Sequence, residues 1–103
     1  MKKICTAVFS SIVIVACSAK SFVLTDQQLS SMRQKVPNIT LENAKAGYKV
    51  YSEKCANCHQ LDRPGKYTIP QWNNILLKMF PKAKVTSEEE QTLIRDYLHA
   101  LSK

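Results

Sequence analysis

The five residues 55–59 of this 103-residue chain read CANCH, and this motif restricts the possible folds more strongly than any other feature of the sequence. Two residues separate the two thiols, and an imidazole follows the second thiol directly. A chain of this length forms one domain with a modest core. A group that engages all three side chains would therefore supply a large part of that core.

The spacing of Cys55, Cys58 and His59 favours covalent attachment of one haem c. Two thiols at this spacing can reach the two vinyl groups on one edge of a haem and add to them as thioethers. The imidazole of His59 then lies beneath the iron, where it can bind as the proximal ligand. One short motif thus predicts both attachment and iron ligation.

Three other roles are open to Cys55 and Cys58. A thioredoxin-like redox pair needs a strand-helix-strand setting, which this sequence does not indicate. A structural zinc site needs four ligands, so it would have to add His59 and the distant His99. A disulfide between the two cysteines is the third alternative, but it gives His59 no role.

Residues 1–16 have the composition of an export signal. Two lysines precede a short apolar run, which is too short to span a bilayer as a mature helix.

Residues 14–17, IVAC, resemble the lipobox of bacterial lipoproteins, in which the cysteine is lipidated and begins the mature chain. The resemblance implies a periplasmic protein anchored to a membrane through Cys17. The outer membrane is favoured because Ser18, rather than an aspartate, comes next. An ordinary secretory signal is the alternative.

The basic side chains bear on the choice of partner. The chain has a net charge of +7, and its lysines are spread along the sequence rather than clustered. An acidic redox partner fits such a surface, although ordinary solubilising lysines explain it equally well. Nucleic acid is excluded as a partner because the sequence has no basic run and no base-stacking motif.

Capping signals and helical periodicity predict a short helix and then a longer one. Residues 25–28, TDQQ, form a capping box, and Pro37 ends the segment that follows. This short helix could pack over the domain or remain loose. Thr40 can cap the next helix, over about residues 41–54. Gly47 inside that helix costs about 1 kcal/mol relative to alanine, which indicates the close approach of another backbone. The predicted inner side of the helix comprises Leu41, Ala44, Gly47, Tyr48 and Tyr51.

Two more helices are predicted beyond a loop over residues 61–69. Pro70 suits the first turn of the third helix, and Pro81 is expected to stop it. Its apolar stripe comprises Trp72, Ile75, Leu76, Met79 and Phe80. Residues 86–89, TSEE, read as a second capping box. The last helix is expected to bury Ile94, Tyr97, Leu98 and Leu101. The chain is therefore predicted to be all-α, with about three core helices and the short N-terminal helix.

The pattern of Gly47, Tyr51 and Cys55 in one helix, with Tyr97 in the last helix, resembles the class I c-type cytochromes. The resemblance begins at about residue 41 and continues to the end of the chain. In that family the two helices cross, and the aromatic residue lies against the glycine. The resemblance implies a small cytochrome c-like fold around one haem. It also implies a one-electron carrier between redox proteins, and not an enzyme.

The same resemblance implies that Met79 is the distal iron ligand, and methionine ligation raises the reduction potential. Plain core packing is the alternative, because Met79 lies on an apolar stripe. If Met79 is not a ligand, the protein becomes a haem-containing subunit, or a small haem sensor or enzyme with an open iron position. Met32 is interpreted as packing. His99 lies on the polar face of the last helix, which disfavours a second histidine ligand.

Several side chains near the motif are candidates for contacts with the haem periphery. Tyr67 and Trp72 could hydrogen-bond the propionates, and Arg63 or Lys66 could pair with them; each is equally plausible as surface or core. The carbonyl of Pro64, or of a neighbour, could accept the proton of the proximal histidine. The predicted organisation is a signal peptide over residues 1–16, a lipid-anchored tether with a short helix over residues 17–39, and a cytochrome c domain over residues 40–103.

Overall fold

The computed structural model describes residues 24–56 and 60–103, so Cys17, Cys58 and His59 lie outside the described residues. The described part is helical, as predicted, and contains no strand. Its elements are α1 (Asp26–Lys35), α2 (Leu41–Cys55), a 3-10 turn (Pro64–Lys66), α3 (Ile69–Lys82) and α4 (Glu88–Ala100). Within these residues, no helix has the length and apolar composition needed to cross a membrane.

Helices α2 and α4 meet most closely at Gly47. A Cβ atom at this position would overlap the carbonyl oxygen of Leu93 and lie 2.7 Å from the Cβ of Tyr97. The rings of Tyr48 and Tyr51 flank the contact, each with its centroid 5.9 Å from that of Tyr97. The prediction that Gly47 permits close approach of another backbone is confirmed.

The main core lies between α2, α3 and α4. Its buried residues are Tyr51, Trp72, Leu76, Phe80, Val85, Ile94, Tyr97 and Leu98. The predicted inner side of α2 is confirmed for Ala44, Gly47 and Tyr51, is half-buried at Tyr48, and is wrong for Leu41, which is 37% exposed. Leu41 is the first residue of α2, and burial along this helix begins only at Ala44.

The N-terminal helix packs over the domain rather than remaining loose, which settles the two alternatives that the sequence left open. Met32 is fully buried in a second cluster with Ile39, Ala44 and Ala100. The Nε of Arg33 donates to the Ile39 carbonyl oxygen at 3.1 Å, which closes the turn that follows the helix. The capping box over residues 25–28 is confirmed. Helix α1 is therefore fixed against α2 and the end of α4.

The end of α3 differs from the expectation for Pro81. The helix continues through Pro81 to Lys82, so the predicted stop is wrong. A proline so near a helix end removes one backbone donor but leaves few later turns to disturb. The termination is instead a Schellman motif, in which Lys84 N donates to Pro81 O and Val85 N donates to Phe80 O. Lys84 adopts the required left-handed conformation, with φ at 57°.

The start of α4 is shifted by one residue from the predicted capping box over residues 86–89. Ser87 is the N-cap, and its hydroxyl accepts from the backbone N–H of Glu90. The Glu90 carboxylate is 3.3 Å from the Lys54 ammonium. The sequence pattern fits either hydroxyl residue, because each precedes a glutamate by three positions. With Ser87 as the N-cap, the Gln91 side-chain amide donates to the carbonyl oxygen of Val85, whose side chain is buried.

Candidate functional site

A cavity of about 440 Å³ opens between the end of α2, the apolar face of α3 and the segment that joins them. This volume falls within the range of ~300–1,000 Å³ that is usual for ligand sites. Its walls are mainly apolar and aromatic, with a few polar groups. They comprise Tyr51, Cys55, Asp62, Tyr67, Trp72, Ile75, Leu76, Met79, Lys82 and Ala83.

The first wall of the cavity comes from the last turn of α2. Tyr51 and Cys55 are four residues apart, so they lie on one face of the helix, and both line the cavity. Cys55 is half-buried and is also the last residue of α2. The helix therefore brings the beginning of the CANCH motif to the cavity, while Cys58 and His59 lie outside the described residues.

The second wall comes from α3, whose apolar stripe contributes residues both to the core and to the cavity. Trp72, Leu76 and Phe80 are buried in the core, whereas Ile75 and Met79 are half-buried and line the cavity. Met79 does not belong to the buried core cluster of the described residues. Two of the predicted site residues, Cys55 and Met79, thus lie on walls of the same cavity.

The third wall is the segment after the CANCH motif, and two aromatic side chains hold it in place. The Tyr51 hydroxyl donates to the Asp62 carbonyl oxygen at 2.6 Å. The Trp72 indole N–H donates to the Pro64 carbonyl oxygen at 2.8 Å. Trp72 is only 2% exposed and also packs edge-on against Tyr67, with the ring centroids 5.1 Å apart.

These contacts bear on the side chains that were candidates for contacts with the haem periphery. Of the roles open to Trp72, the structure has the core one, in which the indole N–H donates to the Pro64 carbonyl oxygen. Lys66 pairs with the Asp62 carboxylate at 3.0 Å, so its charge is already compensated within the segment. Lys82, which sequence reasoning did not select, is a basic side chain on the cavity wall. Nothing in the sequence pattern distinguishes it from the other exposed lysines.

Two buried phenols, Tyr51 on the cavity wall and Tyr97 behind it in the core, are held in their neutral form. Burial raises the pKa of Tyr97 to about 12, and the neighbouring Tyr48 adds to the shift. Burial also raises the pKa of Tyr51, with smaller contributions from Cys55 and Asp62. Because a neutral phenol keeps its proton, Tyr51 remains a hydrogen-bond donor to the third wall across the physiological range.

The other candidate ligands lie elsewhere in the described structure. Met32 belongs to the cluster beneath α1. His99 is half-buried, and its Nε2 is 2.7 Å from the Asn73 side-chain oxygen. Neither residue lines the cavity that contains Cys55. This placement supports Met32 as a packing residue, and it gives no support to a zinc site that combines His99 with Cys55.

Comparison of the chain with models of protein families, with curated proteins and with solved structures found no match. In the described residues, no group of three or more His, Cys, Asp or Glu side chains could hold a metal ion. The site is therefore characterised by its own geometry, in which a half-buried cysteine and a half-buried methionine line one largely apolar cavity.

Proposed function

We propose that this chain is an exported, monohaem c-type cytochrome that carries one electron at a time between redox proteins. The observation that carries the proposal is that Cys55 and Met79 line the same cavity. Cys55 begins the CANCH motif, and Met79 is the methionine selected as the distal ligand. The cavity's apolar and aromatic walls fit a porphyrin, which is itself a large, flat and mostly apolar group.

In this proposal, Cys55 and Cys58 form the two thioethers, His59 binds the iron as the proximal ligand, and Met79 binds it as the distal ligand. The haem c supplies reversible one-electron chemistry when bound. The chain supplies the covalent anchor and two ligand atoms. It also supplies a surrounding of low polarity, which together with a methionine ligand favours a raised potential.

The walls of the cavity are suited to a carrier because several contacts hold them. The Gly47 contact fixes α2 against α4, and the hydrogen bonds from Tyr51 and Trp72 fix the third wall. Met79 is held by helical backbone, with its carbonyl oxygen accepting from the N–H of Ala83. Such support would keep Met79 and the cavity walls nearly fixed, and a carrier needs little movement between its two oxidation states.

We further propose that the protein is periplasmic and anchored through lipid on Cys17, with the outer membrane favoured. Because α1 packs on the domain, the connection between anchor and fold begins near Leu24 rather than near Val36. The seven residue steps from 17 to 24 span at most about 25 Å when fully extended. The domain would therefore remain near the bilayer surface while it meets its redox partners.

The decisive experiment is export of the chain in a host that attaches haem c, followed by intact mass measurement after denaturation. We expect the mass to include one haem, and one set of acyl chains if Cys17 is modified. A Cys55→Ala and Cys58→Ala double variant should lack the haem mass and keep the lipid mass. A wild-type chain that is colourless and has no haem mass would contradict the proposal.

The second candidate is a small haem sensor or enzyme with an open iron position, and the helical position of Met79 favours it. Met79 lies on α3 rather than in a loop, so its reach toward an iron atom is restricted by the helix. Ferric absorption separates the candidates, since iron-sulfur bonding gives a weak long-wavelength band and an open position gives a high-spin spectrum. We expect the band in wild type and its loss in Met79→Ala. The same spectrum in both would identify Met79 as packing.

A further inference from the structure

A second depression lies between α3 and α4, and we refer to it as the α3/α4 groove. It has a volume of about 340 Å³ and is lined by Asn73, Leu76, Leu77, Phe80, Arg95 and His99. Leu76 alone also borders the cavity that contains Cys55. Two residue steps along an α-helix rotate by about 200°. Leu77 and Met79 therefore lie on nearly opposite sides of α3.

The α3/α4 groove has apolar residues in its lining, and one of them, Leu77, is accessible. Leu77 is 75% exposed, whereas Phe80 beside it is only 7% exposed. A single exposed leucine is common on protein surfaces and has no significance alone. Here it adjoins a depression with apolar residues in its lining, so an incoming apolar side chain could cover Leu77 and contact that lining at the same time.

The rim of the groove carries positive charge. The Arg95 guanidinium is 5.8 Å from the centroid of the Phe80 ring and makes no ion pair with a described carboxylate. Burial, and then the neighbouring Arg95, lower the pKa of His99, and Asp96 acts in the opposite direction. The Arg95 guanidinium itself places a positive charge beside an apolar surface.

We propose that the α3/α4 groove docks a segment of an acidic partner protein that presents an aliphatic or aromatic side chain next to a carboxylate. The apolar side chain covers Leu77, and the carboxylate pairs with Arg95, whose planar fork suits two parallel hydrogen bonds. Charge complementarity selects an acidic partner over a neutral one. Docking at this face leaves the mouth of the Cys55 cavity uncovered, and it does not depend on the identity of the group in that cavity.

The test uses the full chain, labelled with ¹⁵N, as purified from its expression host. Two capped peptides serve as probes: one alternates glutamate with leucine, and the other replaces each glutamate by glutamine. We expect the acidic peptide to shift the amide signals of Asn73, Leu77, Arg95 and His99. It should bind about tenfold more tightly than the neutral peptide, as expected for one charge-assisted pair.

Three variants make the test specific. Arg95→Gln should remove the preference for the acidic peptide and retain weak binding of both peptides. Leu77→Ser should weaken both peptides equally, and its folding is not in question because Leu77 is exposed. Lys78→Gln is the matched control, since it removes a positive charge from α3 outside the groove.

Three results would overturn the proposal. In the first, the signals that shift are spread over the surface lysines, which would indicate only general attraction to a basic protein. In the second, Lys78→Gln lowers the affinity for the acidic peptide as much as Arg95→Gln does. Absence of binding by either peptide at millimolar concentration would also refute the groove as a docking site.

Discussion

Replacing Gly47 by alanine tests the packing on which the candidate site depends. The new Cβ would overlap the Leu93 carbonyl oxygen and approach the Cβ of Tyr97 to 2.7 Å. Neither atom can move away by a rotamer change, because one belongs to the backbone and the other is fixed to it. Helices α2 and α4 would have to separate, which shifts Tyr51 and Cys55 at the cavity as well.

Two opposing effects determine how much Gly47→Ala changes the free energy of unfolding. Alanine is a better helix former than glycine by about 1 kcal/mol, so an exposed site would gain stability. Overpacking of a tight contact costs typically ~1–3 kcal/mol and sometimes more. Because the new Cβ would overlap a backbone atom, the overpacking cost should lie at the upper end of this range. After the gain in helix propensity is subtracted, we expect the free energy of unfolding to fall by about 2 kcal/mol. In a domain of this size that corresponds to a decrease in Tm of roughly 8–16 °C.

The assay for Gly47→Ala is urea unfolding followed by far-ultraviolet circular dichroism, with thermal unfolding in parallel. Gly65→Ala is the matched control, because a Cβ there would lie 3.7 Å from the Leu101 carbonyl oxygen, an ordinary contact. We expect the control to change the free energy of unfolding by less than about 0.5 kcal/mol. If Gly47→Ala were as stable as wild type or more stable, the described crossing of α2 and α4 would be wrong.

Three further predictions concern single side chains. Lys84→Gly should raise the free energy of unfolding by about 0.5–1 kcal/mol, because glycine adopts the left-handed conformation at φ 57° without a Cβ penalty; unchanged urea midpoints would argue against this conformation. Trp72→Phe should lower the free energy of unfolding by about 1–3 kcal/mol, since the Pro64 carbonyl loses the indole donor, and urea unfolding would measure it. Burial raises the pKa of Tyr97 from the usual phenol value of about 10 to about 12 in the folded state, so the stability that the neutral phenol contributes is complete below pH 10 and is lost as pH rises toward 12. Urea unfolding between pH 8 and 12 should therefore show a steeper loss in wild type than in Tyr97→Phe, and equal slopes would refute the assignment.

The helix boundaries that local chemistry determines were predictable. Thr25 and Thr40 each precede a helical pattern and accept a backbone N–H three residues on, as expected for N-caps. The expected end of α3 was wrong for a different reason, because the residue that ends the helix carries no sequence signal for that role. Pro81 does not end α3, since the stop is made by Lys84, and no local rule favours a lysine in the left-handed conformation.

The residues of the candidate site were easier to select from the sequence than the contacts that hold its walls. The CANCH motif identifies Cys55 by spacing alone, and helical periodicity places Met79 on an apolar face. The hydrogen bonds of Tyr51 to Asp62 and of Trp72 to Pro64 join residues eleven and eight positions apart through a segment with no periodicity. The position of Tyr51 at the cavity could have been predicted, because Tyr51 lies one helical turn before Cys55 and must share its face of α2.

Helix α3 explains why an apolar stripe alone could not separate packing from binding. Periodicity reports which residues avoid water, and a core and an apolar cavity exclude water equally. The stripe of α3 is wider than the core needs, so Trp72 and Leu76 border both environments while Met79 faces only the cavity. Leu77 extends apolar character to the opposite side of the same helix, where nothing in the described residues covers it. One amphipathic helix thus borders the core, the cavity that contains Cys55 and the separate α3/α4 groove, and its sequence is apolar at more positions than a helix with a single buried face requires.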